Sequence, residues 1–84
     1  MEILNYMPVI SVEIKFLPGV EDPEALTIQK NLKLLGYSGI KSLKTSKTYT
    51  FDIDVGQSDP QAMVKDISEK LLANPVIQSY TIKE

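Results

Sequence analysis

An internal repeat of 37 residues constrains the fold of this chain more than any other feature of its sequence. Shifting the chain against itself by 37 positions pairs residues 12–45 with residues 49–82 without a gap. Nine of these pairs are identical, where average residue frequencies supply roughly two. The identical pairs are Gly19/Gly56, Asp22/Asp59, Pro23/Pro60, Ala25/Ala62, Lys33/Lys70, Leu34/Leu71, Leu35/Leu72, Ile40/Ile77 and Ser42/Ser79. The sequence therefore predicts two similar structural units within one small chain.

Each unit begins with a predicted strand and continues with a predicted helix. Apolar and polar residues alternate over 12–16 and again over 49–55, which is typical of strands with one buried face. Beyond each strand, apolar residues recur at spacings of three and four, so each helix presents one apolar stripe.

Aspartate followed by proline marks the start of both helices. The carboxylates of Asp22 and Asp59 can accept hydrogen bonds from free N–H groups of the first turn. Pro23 and Pro60 suit an early helical position because no donor is needed there. Ser58 also fits a capping box with the glutamine three residues later, so the second cap is either Ser58 or Asp59.

Different residue types mark the ends of the two predicted helices. Gly36 predicts the end of the first because glycine adopts the left-handed conformation freely. Asn74 and Pro75 predict the end of the second, since the residue before proline is pushed out of the helical region. Strands at about 40–45 and 76–83 then complete the two units, and residues 46–48 form the predicted hairpin turn between them.

The predicted order is therefore β-α-β-β-α-β, which belongs to the α+β class. Such a chain folds most simply as a two-layer sandwich, with an antiparallel sheet and both helices on one face. The outline is ferredoxin-like. Polar residues on the opposite sheet face suit solvent or a polar interface.

Composition removes several classes of function. The 84 residues include no Cys, no His and no Arg, which excludes disulfides, thiolate metal sites and cysteine nucleophiles and removes much of ordinary enzyme chemistry. We expect no catalytic residue, no bound cofactor and no metal site on this chain. A net charge of −2 argues against nucleic acid as a partner. No apolar run reaches the roughly 20 residues that span a bilayer, and residues 1–8 lack the features of a signal peptide. We therefore expect a cytoplasmic protein without membrane association.

Two motifs of the sequence together point to a known family. The first is Gly19-Val20-Glu21-Asp22-Pro23, before a helix that closes in Leu35-Gly36-Tyr37. The second and more specific is Lys70-Leu71-Leu72-Ala73-Asn74-Pro75-Val76-Ile77, followed by Tyr80. With both motifs, the chain resembles the PurS family, the small subunit of phosphoribosylformylglycinamidine synthase. The chain departs from the family pattern at Glu24-Ala25, where Gln-Gly is usual, and at Lys44 and Ser46, where Arg and Gly are usual.

The resemblance implies a single PurS-like domain over residues 9–84, preceded by an extension at 1–8 that typical members lack. It implies a non-catalytic subunit in de novo purine biosynthesis, which bridges a large synthetase subunit (PurL-type) and a glutaminase subunit (PurQ-type) and aids ammonia transfer. ATP, Mg and glutamine would be used by those partners. The family also forms homodimers or homotetramers, and a chain of 84 residues has a thin core of its own, so we expect a homo-oligomer.

Five residues are candidates for contact with partner proteins, each with a plainer structural explanation. Lys47, at the predicted hairpin tip, can meet an acidic partner surface or a nucleotide phosphate, although an exposed lysine is most often a solvated charge. Tyr49 and Tyr80 can anchor an interface, and core packing explains Tyr49 equally well. Asn74 and Pro75 can serve a partner or simply end the helix. Asp22 and Asp59 are interpreted as helix caps rather than as acid or base catalysts.

Two other classes of protein share the predicted element order. A regulatory module of the ACT type binds a small amino acid at a dimer interface, but its Gly-rich turn is only faintly matched by residues 17–20. A small enzyme of the acylphosphatase type relies on an arginine to hold phosphoryl oxygens, and this chain has none. Ligand-dependent thermal stabilisation would support the first, and acyl-phosphate hydrolysis the second.

Overall fold

Strands and helices alternate along the part of the chain that the computed structural model describes, residues 9–54, 56 and 58–83. The elements are β1 (Val9–Phe16), α1 (Pro23–Leu34), β2 (Ser46–Asp52), α2 (Pro60–Ile67) and β3 (Gln78–Lys83). A π-helical turn at Ser68–Leu72 continues α2. The predicted N-terminal extension and the end of the predicted second-unit strand at Val55 lie outside the described residues.

The strands form one antiparallel sheet in the order β2-β1-β3. Val12 of β1 lies opposite Tyr49 on one side and Ile82 on the other, so the apolar positions of the strands share a face. Their neighbours in sequence, such as Ser11 opposite Thr50, point to the other face because strand side chains alternate. The sheet therefore has one apolar and one polar face, as the alternation predicts.

The core lies between the apolar sheet face and α2. Its buried members are Ile10, Val12, Ile14, Ile53 and Val64. Val12 and Val64 are completely buried, and burial of such a side chain contributes roughly 1.5–3 kcal/mol. These residues place α2 firmly on the sheet.

The repeat is visible in the element boundaries. The two helices begin at Pro23 and Pro60, and β1 and β2 begin at Val9 and Ser46, so each pair of starts is separated by 37 positions. The α+β class, the antiparallel sheet and the two helices that the sequence predicts are confirmed.

The predicted strand at 40–45 is wrong, because these residues form no strand in the structure. Thr45, at the end of this segment, is held by the carboxylate of Asp22 rather than by a strand edge. The predicted turn at 46–48 is also wrong, since Ser46, Lys47 and Thr48 are the first residues of β2 and pair with β1. With no hairpin between two strands, the segment before β2 is free to follow α1.

The first helix packs differently from the second. Ala25 is the one buried residue of α1, while Leu34 and the following Leu35 are 84% and 73% exposed. The radius of gyration is 17.7 Å, against about 12 Å for a compact chain of this length. We call residues 23–45, which comprise α1 and the segment after it, the arm. No described helix is long and apolar enough to cross a membrane.

Candidate protein interface

Asp22 joins the two ends of the arm. Its Oδ1 accepts a hydrogen bond from the N–H of Ala25 at 3.0 Å, which caps α1. Its Oδ2 accepts from the N–H and the hydroxyl of Thr45, at 2.9 and 2.8 Å. These bonds, first that from Ala25, hold the pKa of the Asp22 carboxyl below its ordinary value. Asp59 caps α2 in the same way, through the N–H of Ala62 at 3.1 Å. Asp22 differs because it also fixes the path of the returning chain at Thr45.

A reversal at Gly36 turns the chain back along α1. The N–H of Gly36 donates to the carbonyl of Lys33, and the N–H of Tyr37 donates to that of Leu32, both at 3.0 Å. This pair of bonds is the Schellman motif, which needs a left-handed residue, and Gly36 has φ of 95°. As a result Tyr37 and the residues after it lie beside the helix they have just left.

The reversal creates a groove with a basic rim, which we call the lysine groove. Its volume is about 490 Å³, and it is lined by Leu26, Gln29, Lys30, Leu32, Lys33, Tyr37, Ser38, Gly39, Ile40 and Lys41. None of these residues is acidic. The groove therefore combines an apolar lining with positive charge.

The lysine groove was not predicted from the sequence. Residues 25–51 contain five lysines and no acidic residue, and this signal was available in the sequence. Periodicity and capping signals locate helices but say nothing about a segment that folds back on one. The groove depends on that return path.

The apolar face of the sheet remains partly open beyond α2. A shallow groove of about 300 Å³ there is lined by Ile14, Phe16, Lys47 and Tyr49, among others. The Lys47 ammonium lies 5.1 Å from the centre of the Tyr49 ring, within the range of a cation–π contact. The prediction that Lys47 lies at a hairpin tip is therefore wrong. Lys47 lies within β2, on the sheet face that elsewhere forms the core.

Tyr80 lies on the same sheet face and is tied to the end of the second helix. Its hydroxyl donates to Glu69 at 2.7 Å, and this bond raises the pKa of the Tyr80 phenol. Because Ile14 is opposite both Lys47 and Tyr80, the structure brings Lys47, Tyr49 and Tyr80 to one face. Pro75 shares a groove of about 450 Å³ with Tyr80.

Asn74 organises the turn into β3. Its side-chain oxygen accepts from the N–H of Val76 at 3.1 Å, and its own N–H donates to the side chain of Gln78 at 2.7 Å. Its carbonyl accepts from the N–H groups of Ile77 and Gln78, at 3.0 and 2.7 Å. All of these bonds lie within the turn that contains Asn74. They explain the presence of Asn74 by its role in the turn, without a contact to a partner protein.

The polar face of the sheet is organised around Glu13. Its carboxylate accepts a hydrogen bond from the hydroxyl of Ser46 at 2.8 Å and pairs with Lys83 at 3.1 Å. Lys15 stands slightly farther away at 3.9 Å. The Ser46 bond, followed by that of Lys83, lowers the pKa of Glu13. Within the described residues, no three acidic side chains lie close enough to hold a metal ion.

Comparison with known proteins decides the family. The family model for PurS, phosphoribosylformylglycinamidine (FGAM) synthase, matches residues 9–84. The chain belongs to the PurS family. A PurS subunit from Archaeoglobus fulgidus is 39% identical over 75 residues, which cover 88% of this chain and 94% of the relative.

Solved PurS structures share the fold. The crystal structure of Methanocaldococcus jannaschii PurS, a subunit of formylglycinamide ribonucleotide amidotransferase, has a TM-score of 0.77 at 37% identity and covers 89% of this chain and 92% of its own. A chain in the PurLQS structure from Thermotoga maritima has a TM-score of 0.72 at 27% identity, covering 93% and 99%. The resemblance seen in the two sequence motifs is thereby confirmed.

Proposed function

We propose that this chain is the small subunit of an FGAM synthase and bridges its synthetase and glutaminase subunits. Membership of the PurS family over residues 9–84 carries this proposal. The Thermotoga maritima relative is part of a PurLQS structure, which supports the same partners here. The lysine groove of the arm and the open sheet face offer separate surfaces for separate proteins.

The chain serves assembly and not chemistry in this proposal. Several carboxylates that could act as acids or bases already have structural partners, among them Glu13, Asp22, Asp59 and Glu69. ATP, Mg and glutamine are then used by the partner subunits, with no cofactor on this chain. The expected cytoplasmic location belongs to the same proposal.

Self-association completes the assembly. Three large apolar side chains of the arm are exposed outside the lysine groove, namely Ile28, Leu34 and Leu35. A monomer would leave this surface in water, whereas burial of one leucine contributes roughly 1.5–3 kcal/mol. The groove near Phe16 and Tyr49, at the open end of the sheet, is a surface that a second copy can cover with Leu34 and Leu35.

The test compares two nitrogen sources in a synthase reconstituted from purified subunits of the same organism. A bridge that aids ammonia transfer is needed when glutamine is the nitrogen donor. It is not needed when free ammonia reaches the synthetase directly from solution. We expect this chain to raise glutamine-dependent FGAM synthesis and to leave ammonia-dependent synthesis nearly unchanged.

Two results would contradict the proposal. Equal glutamine-dependent rates with and without the chain would remove its role in transfer. Glutaminase or synthetase turnover by the pure chain alone would make it an enzyme.

A further inference from the structure

We propose that the lysine groove binds an acidic segment of one of the other two synthase subunits. This inference rests on the proposed function and adds the chemistry of the contact. The groove has the mixed character of a protein-binding site, since Leu26, Tyr37 and Ile40 are exposed along it while Lys30, Lys33 and Lys41 surround them.

The charge of the groove opposes that of the chain. The whole sequence has a net charge of −2, yet the residues that line the groove include three lysines and no acidic residue. The charge elsewhere is therefore −5, from six lysines and eleven acidic residues. Like-charged neighbours such as Lys30 and Lys33 are mutually repulsive and are stabilised by an acidic partner.

A second copy of this chain fits the groove less well than a different protein. Four of the eleven acidic side chains are already engaged: Glu13 pairs with Lys83, Asp66 pairs with Lys70 at 3.0 Å, and the carboxylates of Asp22 and Asp59 cap helices. The helix periodicity also separates two surfaces, because Ile28 and Leu35 lie on the side of α1 away from the groove. Self-association can use that side while the groove stays open.

The groove is also built before any partner arrives. The Schellman bonds at Gly36 and the bonds from Thr45 to Asp22 fix both ends of the returning segment. A fixed groove loses little conformational entropy on binding. An acidic, partly apolar segment therefore meets a surface that is already shaped.

The test reverses charge in the groove and at matched positions elsewhere. The variant is Lys33→Glu/Lys41→Glu, and the control is Lys65→Glu/Lys70→Glu, which changes the net charge equally. Lys70 is the repeat mate of Lys33, and Lys65 stands in the last turn of α2 as Lys33 does in α1. Affinity for the purified synthetase and for the purified glutaminase is measured at low and high salt, together with the oligomer mass and the circular dichroism spectrum.

We expect the groove variant to lose at least about tenfold in affinity for one subunit at low salt and to lose most of its salt dependence. The control should bind that subunit as the parent does, and both variants should keep the parental mass and spectrum. Equal loss in variant and control, or no loss in either, would overturn the proposal. A change in oligomer mass in the groove variant would assign the groove to a second copy instead. If the parent itself binds neither subunit, the proposed function fails first.

Discussion

At the scale of single residues, equivalent positions of the repeat have different structural roles. Asp22 and Asp59 both cap a helix, but Asp22 also binds Thr45 through its second oxygen. The sequence predicts a cap at each helix start, because aspartate before proline is a local signal, and the structure selects Asp59 over Ser58 for the second. The sequence does not predict the bonds to Thr45, since they join residues 23 positions apart.

The two caps should respond differently to asparagine. Asp59→Asn should be nearly neutral because Asn caps about as well as Asp, whereas Asp59→Ala should cost about 0.5–2 kcal/mol. Asp22→Asn should lower the denaturation midpoint more than Asp59→Asn does, because an amide NH₂ cannot accept the hydrogen bonds that Thr45 donates. Chemical denaturation of the three variants and the parent gives the comparison. Equal midpoints for the two asparagine variants would show that the Thr45 bonds add no stability.

Acid should weaken the fold through Asp22 and Glu13. Their ordinary pKa values are 3.8 and 4.5, and both pKa values are lowered in the folded chain, so the folded state favours the charged forms. The stability they contribute is present above those ordinary values and is lost as the pH falls through the lower pKa values of the folded chain. Denaturation midpoints measured from about pH 6 to about pH 3 should fall more steeply for the parent than for Glu13→Gln. Parallel slopes would exclude Glu13 as a source of the acid sensitivity.

At the scale of elements, the sequence predicts those whose signals are local. Alternation locates β1, and the Asp-Pro pairs locate the start of α1 to the residue and that of α2 to within one residue. The strand at 40–45 is wrong because its prediction depends on a neighbouring strand, and the chain instead follows α1 after the reversal at Gly36. The site shows the same division: its capping residues are predicted, and the lysine groove is not.

The reversal itself can be tested at Gly36. Gly36→Ala should cost roughly 1–2 kcal/mol, because its φ of 95° is a conformation that a side chain disfavours. Gly56→Ala is the control, since Gly56 has no such φ and nothing lies within 4 Å of a methyl group added there. Thermal or chemical denaturation measures both. If Gly36→Ala is as stable as the control, the backbone at position 36 does not require glycine, and the account of the reversal is wrong.

At the scale of the whole molecule, the two helices of the repeat differ in packing: α2 packs on the sheet, and α1 is largely exposed. Val64 of α2 is completely buried, while α1 buries Ala25 and exposes the leucines at its end. Two similar sequences thus produce a folded body and an exposed arm. The arm gives a small subunit enough surface to contact several proteins.

Self-association should depend on that exposed end. Leu34→Glu/Leu35→Glu should lower the mass in solution toward that of a 9.4 kDa monomer, because charge at these positions would have to be buried in the oligomer. The control is Leu71→Glu, because Leu71 is the repeat mate of Leu34 and is 78% exposed. This variant should leave the mass unchanged. Light scattering at micromolar concentration measures both. A parent that is already monomeric would contradict the proposed oligomer.

Assembly of the three subunits tests the bridging role most directly. The purified synthetase and glutaminase are mixed with and without this chain, and the mass of the product is measured by size-exclusion chromatography with light scattering. The proposal predicts one complex that contains all three proteins and that does not form when this chain is left out. A synthetase–glutaminase complex of equal amount without the chain, or a three-protein mixture that never includes it, would contradict the proposal.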